Sequence, residues 1–205
     1  TSCTIRKITV DAILLNSAND ASVVIAQGLA GSVPAFAERM NAYARLLGAR
    51  NSHFVNPNGL PAPNHYSTAR DLAAMFAHGM RDPLFAQVVS TRTGEVRPAA
   101  GSSRRIALRT HNRLLGSYRI HVVGKTGWTI AAKKCFVGAA QANGRELIVV
   151  VLGSRNLWGD LKRLIEFGID GTPAPALDSP EWQIATAPPV PSVEGDNDDD
   201  TDAAP

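Results

Sequence analysis

No apolar run in these 205 residues approaches the roughly 18 that a membrane-crossing helix needs, and the longest, such as 147–152, are strand-sized. Cysteine is nearly absent. Cys3 and Cys135 are the only two, too few for a disulfide framework and silent about the compartment. The first seven residues lack the charged start, apolar centre and small-residue cleavage site of a signal peptide, so any export signal is expected outside this chain. His53, His65, His78, His111 and His121 lack H-x-x-x-H spacing, which argues against a metal site of that kind and leaves them structural or surface residues. Zinc-finger and RNA-binding signatures are missing, as are internal repeats.

Charge of one sign is missing from the end of the chain. Residues 172–205 hold eight Asp and Glu and no Lys or Arg, together with seven of the thirteen prolines. This reads as a disordered acidic, Pro-rich tail, because it cannot bury enough apolar surface to offset its ordering entropy. Residues 1–171 hold all 21 Lys and Arg against ten acids, a balance of +11. A basic body attracts polyanions. The arginines are scattered, however, and a solvated basic surface without nucleic-acid binding is the expectation. With 44% apolar residues, this part can build a real core.

Helices come first and strands last. Thr9 is placed to cap a helix carrying Val10, Ile13 and Leu14, which stops at Asn16-Ser17-Ala18-Asn19. Asp20 can cap a second helix with Gly28 near its end. Ser32 starts a third with Pro34 in its first turn, and Phe36, Met40, Tyr43 and Leu47 recur at helical spacing. Asn56-Pro57-Asn58-Gly59 reads as a turn. Ser67 or Thr68 caps a fourth helix over 69–78, with Asp71 placed for a capping box. Beyond Val88 the runs become β-rich: 88–96, 120–126, 135–142 and 146–153. Asn143-Gly144 is a hairpin signal between the last two. A final amphipathic helix covers 157–167. The class is α/β of the α+β type, with an antiparallel sheet flanked by helices and no βαβ alternation.

Two short motifs carry chemistry. Lys125-Thr126-Gly127 closes a predicted strand. It offers a positive point charge, a hydroxyl donor and close backbone approach, a set that can hold a carboxylate while a peptide adds alongside as an extra strand. Ser17-Ala18-Asn19 sits in a break between helices, where a hydroxyl can relay a proton and an amide can hold a carbonyl or a lysine. Alone, each is weak, and Ser17-Ala18-Asn19 by itself reads first as a helix cap. In this order and setting, S-x-N followed by K-T-G is the later part of the serine acyl-transferase set of penicillin-binding proteins and β-lactamases.

On these residues the chain resembles the serine D-alanyl-D-alanine carboxypeptidases, low-molecular-mass penicillin-binding proteins of peptidase family S11. Residues 8–30 (ITVDAILLNSANDASVVIAQGLA), 36–60 and 65–73 (HYSTARDLA) are similar to family segments. So are Asn112-Arg113-Leu114-Leu115 and Val123-Gly124-Lys125-Thr126-Gly127-Trp128-Thr129. Ala18 replaces the usual Gly, a mild departure. The resemblance implies a β-lactamase/transpeptidase-like fold over 1–171 and removal of the terminal D-Ala of peptidoglycan stem peptides through an acyl-enzyme. It implies catalytic roles for Ser17 and Asn19, substrate binding by Lys125, Thr126 and Gly127, no metal or cofactor, and β-lactams as inhibitors. It also implies a periplasmic or extracellular setting, with membrane association only through parts outside this chain. By the same resemblance His65 is a candidate to line the cleft, with a structural or surface role as the alternative, and Trp128 a candidate to touch substrate, with plain packing as the alternative.

The family nucleophile lies in S-x-x-K, and no serine here has lysine three positions on. The chain is therefore expected to be N-terminally incomplete, beginning after the nucleophile and lacking the first strands of the sheet, and to be inactive alone. Two other readings stay open. One is a non-catalytic homologue that binds wall peptides. The other is a β-lactamase, against which stands the lack of E-x-x-x-N after the S-x-N.

Overall fold

A computed structural model describes residues 2–97 and 104–171, with side chains described from Thr9. The acidic segment 172–205 lies outside the described residues.

Helix α1 (Ser2–Asn16) starts well before Thr9, which lies inside it and does not cap it. Nothing between Ser2 and Asn16 is Gly or Pro, so nothing stops the helix from extending upstream. In α2 (Asn19–Ala30), Asp20 is a first-turn residue and not the cap, its carboxylate accepting from the Ala21 N–H at 2.8 Å. The helix runs past Gly28 and ends at Gly31, which takes the left-handed conformation at φ 79°. Helix α3 (Val33–Leu46) is capped as expected, Ser32 Oγ accepting from the Ala35 N–H at 3.2 Å. Its buried face is Ala37, Asn41 and Ala44, one residue round from the Phe36, Met40, Tyr43 stripe. Asn41 explains the rotation. Its amide donates to the Phe54 carbonyl and accepts from the Phe54 N–H, both at 2.7 Å, and so pins the following loop.

That loop contains the Asn56–Gly59 turn, closed by the Gly59 N–H on Asn56 Oδ1 at 2.8 Å. Thr68 caps α4 (Ala69–Gly79), accepting from the Asp71 N–H at 3.1 Å. Asp71 does not complete a capping box. Its buried carboxylate accepts from the Asn51 N–H at 2.7 Å and the Ser52 hydroxyl at 2.8 Å. Two donors satisfy a buried charge better than the single N–H that a capping box supplies. A strand was expected from Val88, but 83–89 form α5 (Pro83–Val89). Asp82 caps it through the Leu84 and Phe85 N–H groups, with Pro83 in the first turn, and this local chemistry outweighs the β-propensity of Val88 and Val89.

Strands β1 (Thr93–Val96) and β2 (Ile106–Arg109) form an antiparallel pair. Strands β3 (His121–Thr129), β4 (Lys133–Ala142) and β5 (Arg145–Ser154) form an antiparallel sheet in the order β3-β4-β5. Asn143 and Gly144 join β4 to β5 at φ 52° and 71°, the positive angles of a type I′ hairpin. Helix α6 (Leu157–Asp170) follows.

The pleat divides the core. Val122, Phe136, Ala140, Val149 and Val151 face Leu157, Leu161, Ile165 and Ile169 of α6. Val123 and Ala139 face the other way, onto Phe76 of α4, Val89 of α5 and Leu14 of α1. Leu15 of α1 packs with Val88, Val96 and Leu108, which ties the β1–β2 pair to the helices. This is the expected antiparallel sheet between helices. The helix runs past the expected end at 167, where Phe167 is half exposed and Ile169 takes the buried position. Cys135 is half-buried, because burial along β4 begins at Phe136.

Candidate functional site

The break between α1 and α2 is built by three local contacts. The Ala18 N–H donates to the Ala12 carbonyl at 3.2 Å, which turns the chain back at the end of α1. Asn16 Oδ1 accepts from the backbone N–H of Arg109 at 2.8 Å and fixes the break against β2. Ser22 Oγ donates to the Asn19 carbonyl at 2.7 Å and stiffens the start of α2. Between them Ser17 is held at φ 53°, a left-handed conformation that a serine adopts only at a cost of order 1–2 kcal/mol.

Lys125, Thr126 and Gly127 lie within β3, which continues to Thr129. Alternation along β3 puts Lys125 on the face of Val123, toward α1, α4 and α5. One pair of residues brings β3 and β4 close just before this point. Gly124 and Gly138 are opposite each other in the ladder. A Cβ on Gly124 would stand 2.4 Å from the Val137 carbonyl, and one on Gly138 2.2 Å from the Val123 carbonyl. The Phe136 ring occupies the space the two glycines leave, with Cζ 2.7 Å from either Cβ position. The approach to β3 is held by buried Asn112, whose amide donates to the Val122 carbonyl at 2.9 Å and accepts from the Leu114 N–H at 3.0 Å.

The two motifs, more than a hundred positions apart, meet in one contact. Lys125 Nζ donates to Ser17 Oγ, and also to the Thr126 carbonyl at 2.6 Å. Both acceptors are neutral. Burial pushes the Lys125 ammonium down from 10.5 to about 8, because the site solvates its charge poorly, and an incoming anion would supply the counter-charge it lacks.

The other members are less engaged. Thr126 is half-buried, while Gly127 is exposed and opposite Cys135 in the ladder. Asn19 is exposed, and its side chain makes no hydrogen bond among the described residues. Trp128 is 66% exposed. His65 plays a structural part. Its Nδ1 accepts from the Val55 N–H at 3.2 Å and its ring packs edge-on against Phe54. Burial, then the nearby His53, pulls its pKa down and keeps it an acceptor. No cluster of His, Cys, Asp or Glu suited to a metal ion occurs among the described residues.

Sequence reasoning missed the supports. Asn16, Asn112 and the Gly124–Gly138 pair position the motifs without belonging to them. Asn16, Asn112 and Gly124 stood within family-like stretches, and Gly138 did not.

The arrangement has known relatives. The model of the D-alanyl-D-alanine carboxypeptidase family, peptidase S11, matches residues 3–156. The D-alanyl-D-alanine carboxypeptidase DacB2 of Mycobacterium tuberculosis is 34% identical over 177 residues, covering 82% of this chain and 60% of that protein. The D-alanyl-D-alanine carboxypeptidase DacA of Haemophilus influenzae is 36% identical over 162 residues, covering 76% of this chain and 39% of that protein. The chain thus spans about three fifths and two fifths of these relatives. Among solved structures, the Streptomyces K15 DD-transpeptidase superposes with a TM-score of 0.75 at 29% identity, covering 80% of this chain and 67% of the other. The D-alanyl-D-alanine carboxypeptidase of M. tuberculosis H37Rv gives 0.72 at 32% identity, covering 81% and 64%. The fold is transpeptidase-like.

Proposed function

The chain belongs to the D-alanyl-D-alanine carboxypeptidase family of peptidase S11, and from that premise we propose that it forms the substrate-binding half of a serine D,D-carboxypeptidase acting on peptidoglycan stem peptides outside the cytoplasm. The observation that carries this reading is the hydrogen bond from Lys125 to Ser17, which joins the K-T-G strand to the S-x-N break.

The geometry suits the terminal carboxylate of a D-Ala-D-Ala peptide. β3 is an edge of its sheet among the described residues, so its outer side is open to an added strand. A carboxylate beside Lys125 gains a charge in a half-buried setting, and the Thr126 hydroxyl adds a donor. Ser17, already in contact with Lys125, is placed to pass a proton to the leaving amine, and Asn19 to hold the substrate amide. The attacking hydroxyl is not among these groups, and no serine of the chain has lysine three positions on. Loss of a nucleophile from such a unit costs several orders of magnitude in rate. A second reading is a homologue that binds wall peptides without cleaving them.

Incubation with an N-acylated peptide ending in D-Ala-D-Ala tests both. The expected result is saturable binding that Lys125→Gln abolishes, with no release of D-alanine. D-alanine release that disappears in Ser17→Ala would overturn the assignment of Ser17 as a helper. Absence of peptide binding by folded protein would overturn the binding role itself.

A further inference from the structure

The +11 balance of residues 1–171 is not evenly spread. Positions 92–113 contain six arginines, no lysine and one acid, Glu95, a balance of +5. Elsewhere the charges are closely mixed, as on α6, where Lys162 and Arg163 stand among Asp160, Glu166 and Asp170. The β1–β2 pair explains why the arginines share a surface. Gly94, Val96, Ile106 and Leu108 alternate inward toward Leu15, so Thr93, Glu95, Ala107 and Arg109 face out. Arg97 and Arg105 flank one end of the ladder and Arg109 closes the other, all exposed. Glu95 reaches Arg105 at 3.4 Å, an exposed pair of little energetic weight, and the face keeps a positive excess from Arg97, Arg105 and Arg109.

The chain carries a counterpart. Residues 194–202 hold Glu194, Asp196, Asp198, Asp199, Asp200 and Asp202 with no base. Twenty-two residues separate Gly171, at the end of α6, from Glu194. Fully extended, that length spans roughly 75 Å, against a diameter of about 40 Å for a domain of this size. Reach is no obstacle, and tethering gives an effective concentration of about millimolar order. Arginine forks suit carboxylates, and closely spaced carboxylates suit a strand pair with Arg97, Arg105 and Arg109 at its two ends.

We propose that the acidic stretch 194–202 of this chain docks on the arginine surface of the β1–β2 pair. Because the Arg109 N–H is bonded to Asn16, that surface adjoins the break that carries Ser17. The docked segment competes there with other anions.

Zero-length carbodiimide cross-linking of the full chain carrying R105K and R109K tests the contact. Both substitutions keep the charge at exposed positions. At about 20 mM salt, monomeric protein is expected to show peptides joining positions 105 and 109 to residues 194–202, lost near 0.5 M salt, where screening reaches only a few ångströms. Equal linkage to Lys133, Lys134 and Lys162, linkage only between two copies, or none at either position would overturn the proposal. Binding of inorganic tripolyphosphate gives a second readout. The full chain with D198N, D199N and D200N is expected to bind it at least roughly threefold more tightly than the unmodified chain, because its tethered competitor is weakened. Equal affinity would also overturn the proposal, as would the same gain in a background carrying R105Q and R109Q.

Discussion

Lys125 sits half-buried beside two neutral oxygens, and this fixes the pH dependence of its chemistry. Its pKa falls from 10.5 to about 8 on burial, so between those values the native state binds fewer protons than the unfolded chain. Stability contributed by this group therefore rises with pH across that window. Carboxylate affinity runs the other way, because the bound anion needs the ammonium. Titration of an N-acylated D-Ala-D-Ala peptide is expected to show weakening of up to about tenfold per pH unit above 8, and a peptide ending in an amide is expected to show none. Ser17 offers a separate test. Ser17→Ala and Ser17→Gly both remove the hydroxyl that Lys125 touches, but only glycine accepts φ 53° without strain. Thermal melts are expected to place the glycine variant about 1 kcal/mol above the alanine variant, with peptide binding weakened in both.

At the scale of elements, one substitution changes sign with its surroundings. Gly138→Ala would put a methyl group 2.2 Å from the Val123 carbonyl, between strands that have no room to part, and is expected to cost about 3 kcal/mol or more in denaturant unfolding. Gly28→Ala lies within α2, has nothing within 4 Å and is expected to gain about 0.5–1 kcal/mol. Asp71 holds the loop before α4 to that helix through Asn51 and Ser52. Asp71→Ala leaves those donors unsatisfied, and is expected to cost about 2–3 kcal/mol. It should also raise amide exchange over 51–67 before it affects the sheet. These elements show which signals were legible. Ser32 and Thr68 were readable as caps because a cap bonds within three residues. The capping-box role of Asp71 failed because its partners lie about twenty residues away. Asp82-Pro83 marks the start of helix α5 within three residues, but Val88 and Val89 at its end read as the beginning of a β-rich run.

Across the whole molecule, α6 closes one face of the sheet, and Leu161 is fully buried at its centre. Leu161→Ala is expected to cost about 3 kcal/mol in global unfolding, read as a common shift of all spectroscopic probes. The composition already separated a basic, core-forming part from an acidic segment. The order of helices, strands and hairpin was equally readable, since periodicity, caps and turn residues act over a few positions. The family could be read from motif order, and the match over 3–156 bears it out. Only the tertiary structure decided that Ser17 and Lys125 touch, that Asn16 reaches Arg109, and that the Gly124–Gly138 pair makes way for the ring of Phe136. Each of these depends on strand register and on which helix covers which face. The free energy of such contacts arises between groups distant in sequence, so no local pattern records it.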